Sequence, residues 1–403
     1  MNRRTFLAAA ALAPGGFCPP PAFGQPKEKV KIVSVLPRTG GSKGVTDGIV
    51  NAINLALADF EKALPFEVIH VERDDAHPRR GAWDVDRETS IAAAAAADRG
   101  VLAVIGSYYS GAAHVSAPIF NKAGLVQVSP SATLTGLTKS GPASDADEPG
   151  KYRPAQKITF CRVCPYDGSQ GVLSAQFAAA ELKAQSVYVL DDKHLYGSGA
   201  AGVFKKQCEA LKLKVAGAES VSITQSDFGP LTQRIKDKNP DLVYFGGTTQ
   251  SKAGQLAREM VRAQLACPLV LPDACYEDAF IDSAGRALDA LKVYVTVGGI
   301  NPAHLKGAGA DFVKRYTGKF DKAPDADAVY GYEAAAVVLE ALRAAGKRDR
   351  EAVRRAVLST TDFAKGLLGG WSFDADGDTT HQPLTVTTVE KGKFRAVKVL
   401  GAK

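Results

Sequence analysis

A chain of 403 residues exceeds what one hydrophobic core usually organises, so two lobes are expected. Its net charge of +7 is a mild excess, and no run of lysine or arginine interleaved with aromatic residues marks a nucleic-acid face. Beyond the first residues no segment has the continuous apolar length of a membrane helix, which argues against stable membrane insertion.

The opening stretch reads as an export signal. Arg3 and Arg4 are a basic start in a twin-arginine pattern, residues 6–14 are a short apolar core, and Ala22, Phe23 and Gly24 form a small-x-small cleavage pattern before Gln25. Residues 1–24 are therefore read as a removed signal peptide, which gives a periplasmic protein of about 379 residues and a charge of about +5. Cys18 competes as a lipidation site, but the bulky Phe17 before it argues against that. Of the five remaining cysteines, Cys161 and Cys164 form a C-x-x-C along a strand rather than at a helix start, so a redox role does not follow. Cys267 and Cys275 could form a local bridge, and no second cysteine or histidine pair completes a zinc site.

Residues 30–36 read as the first strand. A glycine-rich loop, residues 37–44, leads into a helix carrying Ile49, Ile53, Leu57 and Phe60 at helical spacing. The loop lacks the order of a Walker motif and the chain lacks G-x-G-x-x-G, so nucleotide is not expected; no cofactor is. A strand at 66–72 and an alanine-rich helix at 85–98 follow. Residues 101–105 then form an apolar strand buried on both faces, and a helix from about Gly111 to Asn121 is disturbed by Pro118. A further strand at 125–128 ends in Ser129, Pro130, Ser131, Ala132 and Thr133. Two strands thus finish in small hydroxyl residues, where open α/β sheets take their ligands. The serines could equally cap helices.

Residues 141–154 are a polar excursion without apolar period. The alternation then resumes, with strands at 158–162, 186–190, 214–216, 242–246, 269–271 and 291–297 separated by helices. A long helix at 325–345 carries Tyr330 and Tyr332 near its start, a short one spans 350–358, and residues 384–399 read as a hairpin around Lys391 and Gly392. Asp374, Asp376 and Asp378 mimic a calcium loop but lack its later glutamate, so a solvated turn is preferred. The class is α/β, with two doubly wound parallel-sheet lobes.

With VLPRTGG, ERDDA, VLAVIGSYYS, VQVSPSAT, DGSQG, DDKHLYGSG, DLVYFGG, YGYEAAA and GGWSFDADGD in this order, the chain resembles a type I periplasmic binding protein of the leucine/isoleucine/valine-binding family. The resemblance implies two lobes joined by a three-segment hinge: residues 25–155 with 299–380, and 156–298 with 381–403. It implies no catalysis, a small-molecule ligand trapped as the lobes close, and an ABC permease and ATPase as partners. Carried over by motif, Ser110 and Thr133 would donate to a ligand carboxylate, helped by main-chain groups at Ser131. Tyr196 would contribute from the second lobe, Asp273 would pair with an ammonium group, Thr248 would stand where a tyrosine is frequent, and Tyr332 with Tyr109 would border the side-chain pocket.

Asp273 could instead cap a helix and Tyr332 could be plain core. The aspartate at 273, shorter than the family's usual acid, and the threonine at 248 leave the ligand open among amino acids, amides and aromatic acids. A hydrolase is disfavoured because GSYYSG misses the G-x-S-x-G spacing and no histidine sits in a base's place. A sensory protein that passes its ligand state to a membrane receptor needs the same cleft and stays open.

Overall fold

The computed structural model describes residues 27–79, 81, 83–141, 144–222 and 225–401. The expected signal peptide and Cys18 lie outside them. β-branched runs form the strands, and apolar residues at helical spacing form the helices that cover them. In chain order the first lobe begins with β1 (Glu28–Leu36), α1 (Lys43–Phe60), β2 (Phe66–Asp74), α2 (Val85–Ala97), β3 (Val101–Gly106), α3 (Ser110–Lys122), β4 (Val126–Ser129) and β5 (Phe160–Arg162). All five strands are parallel, in the order β2-β1-β3-β4-β5. Helix α2 starts on Asp84, whose side chain accepts from the Arg87 N–H at 3.2 Å. Helix α3 runs on through Pro118.

The second lobe follows with α4 (Asp167–Ala180), β6 (Ser186–Asp191), α5 (Leu195–Ala210), β7 (Lys214–Ser220), α6 (Gly229–Lys238), β8 (Leu242–Gly246), α7 (Ala253–Arg262), β9 (Leu269–Leu271), α8 (Asp278–Ala284), α9 (Ala287–Ala290) and β10 (Val293–Gly298). The chain then returns to the first lobe as α10 (Ala308–Phe320), α11 (Ala326–Ala345) and α12 (Arg350–Leu358). It ends in the second with β11 (Leu384–Glu390) and β12 (Lys393–Leu400). The second sheet, β12-β11-β10-β9-β8-β6-β7, is parallel except for its terminal hairpin, which pairs antiparallel to β10.

Two expectations change here. Phe160–Arg162 pairs with β4, so the chain first leaves the first lobe after Arg162, between residues 162 and 167, and not at 155. Helix α10 was not anticipated between 299 and 325. Its Phe312, Tyr316 and Phe320 recur every four residues, and Phe312 and Tyr316 are buried against the first core.

That core lies between the first sheet and α1, α10, α11 and α12, with a smaller one under α2 and α3 on the opposite face. Gly331 lets α11 meet α1, since a Cβ there would stand 2.9 Å from the Ile49 carbonyl oxygen. Helix α11 is capped by Asp325 onto the Ala328 N–H at 2.8 Å and ends on Gly346 at φ 60°. The second crossing needs a glycine: Gly299 has φ 106°, and a Cβ would lie 2.3 Å from the Tyr330 hydroxyl. The polar excursion is no free loop, because Tyr152 is buried and donates to Glu148 at 2.5 Å against His114 of α3.

The first and third crossings are fastened together. Arg162, fully buried, donates through Nε to Asp378 Oδ1 at 2.6 Å, through Nη1 to the carbonyls of Ala132 (3.0 Å) and Leu134 (2.8 Å), and to the Thr138 hydroxyl. Lys139 gathers Asp374 (2.6 Å) and Asp376 (2.8 Å). The segment expected as a solvated turn is therefore an ionic clasp, buried at Asp378 and partly exposed at Asp374 and Asp376.

Removing one partner of such a pair strands a buried charge, so Arg162→Met is expected to cost about 3–5 kcal/mol, read as the urea midpoint. Arg162→Met with Asp378→Leu should recover much of that loss. A double variant no more stable than the single would show that the other Arg162 bonds, not the charge pair, carry the effect.

Candidate functional site

In the first sheet the order reverses between β1 and β3, and in the second between β6 and β8. Ligands of open α/β sheets lie outside the carboxyl ends of strands at such reversals. In the first lobe Tyr109 bonds through its hydroxyl to Ser42 of the loop after β1. Ser110 opens α3, whose first N–H groups have no intrahelical acceptor. Its hydroxyl accepts from the Leu134 N–H at 3.1 Å, and so ties the start of α3 to the loop after β4. Ser129 shapes that loop by accepting from Ser131 N–H (3.2 Å) and Ala132 N–H (2.8 Å).

Thr133 meets the start of the second lobe: its carbonyl accepts from the Asp167 N–H at 2.8 Å, and its hydroxyl favours the charged form of the Asp167 side chain. Burial works against that charge, and so does Asp273, raising the Asp167 carboxyl to about 7. Neither Asp167 oxygen has a hydrogen bond of ordinary geometry. Ser131 stands in the same relation to Asp327, in the first turn of α11, which burial and then Asp325 push up to about 8.

In the second lobe Tyr196, in the first turn of α5, donates its hydroxyl to Asp273 Oδ1. A Cβ at Gly197 would stand 2.6 Å from the Gly246 carbonyl oxygen, so only glycine lets α5 start this close to β8. The Asp273 N–H donates to Gln170 of α4 at 3.0 Å. Burial raises the Asp273 carboxyl despite the Tyr196 and Gln170 bonds. Asp273 caps no helix: α8 begins after Glu277, and its carboxyl takes the tyrosine instead.

Thr133, Tyr196 and Asp273 thus gather around Asp167, and Ser131 stands beside Asp327, while Tyr109 and Ser110 lie at the start of α3. Two anticipated residues stand apart. Tyr332 is buried in the first lobe, with its ring on Phe312 and its hydroxyl donating to Asp59 at 2.7 Å, where Arg315 pairs with the same acid. It is core, not a pocket wall. Thr248 turns its hydroxyl into its own loop, to Ser251 at 3.0 Å. The anticipated bridge is not formed either. Cys267 and Cys275 are free thiols, as are Cys161 and Cys164, whose burial raises both.

A model of the family described as periplasmic binding protein matches residues 29–393. The Leu/Ile/Val-binding protein homolog 1 of Brucella abortus (strain 2308) is 29% identical over 309 residues, 77% of this chain and 77% of that protein. The crystal structure of a leucine binding protein LivK from Thermotoga maritima superposes with a TM-score of 0.76 at 25% identity, covering 92% of this chain and 98% of that one. The chain belongs to the leucine/isoleucine/valine-binding family of type I periplasmic binding proteins. A solute binding protein from R. palustris in complex with benzoate shares the fold of this binding protein, with a TM-score of 0.71 at 19% identity over 93% of this chain and 96% of that one.

Motif reading passed over several groups that neighbour these residues. Asp167 sits inside the quoted DGSQG run. Asp327 precedes YGYEAAA. Tyr108, next to Tyr109, is the member of that pair on which Asp327, Asp325 and Asp273 act. Trp83 lies across the start of α3, where a Cβ at Gly111 would be 2.6 Å from its ring. Only the first two could have been found from sequence, as acids inside or just before recognised motifs.

Behind the first-lobe loops, Asp75 and Glu88 are fully buried beside Ser107, which donates to Glu88 at 2.9 Å. Burial, and for Asp75 the neighbouring Glu88, raise them to about 8 and about 7. A carboxyl raised on folding stabilises below its unfolded pKa and loses that contribution as pH climbs through the folded one. Asp167, Asp327 and Glu333 act with the same sign. The lowered His70, His114 and His381 act oppositely, but only below about 6.5. From pH 6.5 to 8 the unligated protein should therefore lose stability, on the order of 1 kcal/mol per pH unit for each carboxyl still protonated. Urea midpoints across that range check it. Glu88→Gln should flatten the slope, and a wild-type midpoint that holds or rises would contradict it.

Proposed function

We propose that this chain is the extracytoplasmic solute-binding subunit of an ABC importer. It holds an amino acid or a related small carboxylate or amide between its lobes and works in the periplasm. The observation that carries the reading is the Tyr196–Asp273 pair of one lobe beside the Ser131–Thr133 loop of the other, with Tyr196 beyond β6 at the reversal of its sheet, and Asp273 and the loop beyond the carboxyl ends of β9 and β4, each one strand from the reversal of its own sheet. A charge left unpaired in a closing cleft is costly, so an acid there calls for a cationic group and the N–H groups opening α3 suit a carboxylate.

Three crossings allow the lobes to rock about one axis, which traps a ligand without altering its bonds and releases it when a partner favours the open form. The relatives support the same class: the Brucella and Thermotoga proteins are named for leucine and its branched-chain kin, and the R. palustris structure holds benzoate. No helix among the described residues is long and apolar enough to cross a membrane.

A thermal-shift screen over amino acids, amides and aromatic carboxylates tests this. A true ligand at 100 times its Kd adds about 2.7 kcal/mol to the folded state and raises the midpoint. Asp273→Asn should weaken amino-acid binding by about 1.5–3 kcal/mol, the worth of a charged hydrogen bond. Amino acids that stabilise the variant as well as the parent would show that Asp273 does not hold the ammonium group.

A further inference from the structure

Asp273 acts on both Asp167 and Asp327, which places the three carboxyls near one another where second-lobe loops meet α11, and among the described residues none of the three has an ion-pair partner. The nearby cations are committed elsewhere. Arg162 is spent on Asp378 (2.6 Å) and three further acceptors, and the exposed Lys322 acts on Asp325. Three hydroxyls are engaged with these acids: Tyr196 donates to Asp273, Thr133, expected to donate to a ligand carboxylate, favours the charged form of Asp167, and Ser131 that of Asp327. A hydroxyl supplies one hydrogen, whereas a carboxylate offers about four acceptor positions, so this cluster has acceptors left over.

An observation outside the acids agrees. Tyr244 of β8 is 0% exposed, stacked on Phe204 at 4.0 Å, and its hydroxyl has no partner. The charged groups that act on it most are Asp167 and Asp273. A buried polar group without a partner is costly, and here it borders the same space as the unpaired Asp167. A neutral amino acid brings one cation, which would leave two carboxyls either unpaired or protonated.

We infer that the cleft selects a small solute with two cationic nitrogen groups, a basic α-amino acid or a diamine. One group sits between Asp167 and Asp273 beside the Tyr196 and Tyr244 hydroxyls, and the other at Asp327 beside Ser131. This rests on the proposed role as a solute receptor and narrows its ligand class. Tyr108, on the Asp327 side, adds an aromatic wall suited to a cation.

Isothermal titration of the full chain with L-lysine, 1,4-diaminobutane, L-leucine and benzoate tests it. L-Lysine or the diamine should bind at least about tenfold more tightly than L-leucine, and Asp327→Asn should reduce that preference by about tenfold. L-Lysine binding without the diamine identifies an amino acid, and the reverse a polyamine-type solute; both support the inference. L-Leucine binding as well as either overturns it and leaves the receptor role standing, as does binding of benzoate alone. A chain that binds none of the four overturns the inference, while the receptor role falls only if the wider thermal-shift screen also finds no ligand.

Discussion

The contact between Arg162 and Asp378 holds the rest in place. Both side chains are fully buried, which is tolerable only because the guanidinium also satisfies two carbonyls of the loop after β4 and the Thr138 hydroxyl. One side chain therefore sets three things: where the first sheet ends, where the third crossing runs, and how the Ser131–Thr133 backbone is presented. The N–H of Arg162 also donates to the Gly377 carbonyl at 3.0 Å, so main chain and side chain fix the same strap. A hinge needs such a fixed point, since lobes that turn about loose strands would not return to one closed geometry.

Around this anchor acids and hydroxyls of the two lobes meet, with the hydroxyls subordinate. Thr133, Ser131 and Tyr196 each stand beside a carboxyl, which positions it and eases part of its burial without neutralising it. The first-lobe loops are braced from behind by Ser129 and Ser107, and Ser129 donates to the Ser107 carbonyl at 2.9 Å. Loops held this firmly would need little rearrangement for the solute binding proposed above.

Much of this was legible in the sequence, and the exceptions share a physical cause. Strands such as VLAVIG announce themselves because burial on both faces demands an unbroken apolar run. Family order in the motifs singled out Thr133, Tyr196 and Asp273, which the structure brings into one neighbourhood around Asp167, as proposed ligand contacts. What a side chain meets across 200 residues has no local signature: Asp378 looked like part of a polar turn until Arg162 covered it, and Tyr332 looked available until Asp59 claimed its hydroxyl. Helix α10 was missed because its apolar stripe is narrow, with Phe312 and Tyr316 carrying most of it amid lysines and glycines. The first crossing was set too early because a three-residue strand at a sheet edge cannot be assigned to either lobe by its own pattern.

The return of the chain to its first lobe also governs when that lobe can exist. Helix α1 packs against α11, and their Asp59–Tyr332 bond spans 273 residues, while the second sheet gains its last strands only after residue 384. A growing polypeptide cannot finish either half early, because each waits for segments made long after its first strands. Contacts this distant slow folding and leave apolar faces uncovered for longer, so the nascent molecule depends on protection from aggregation until its closing stretch has been made.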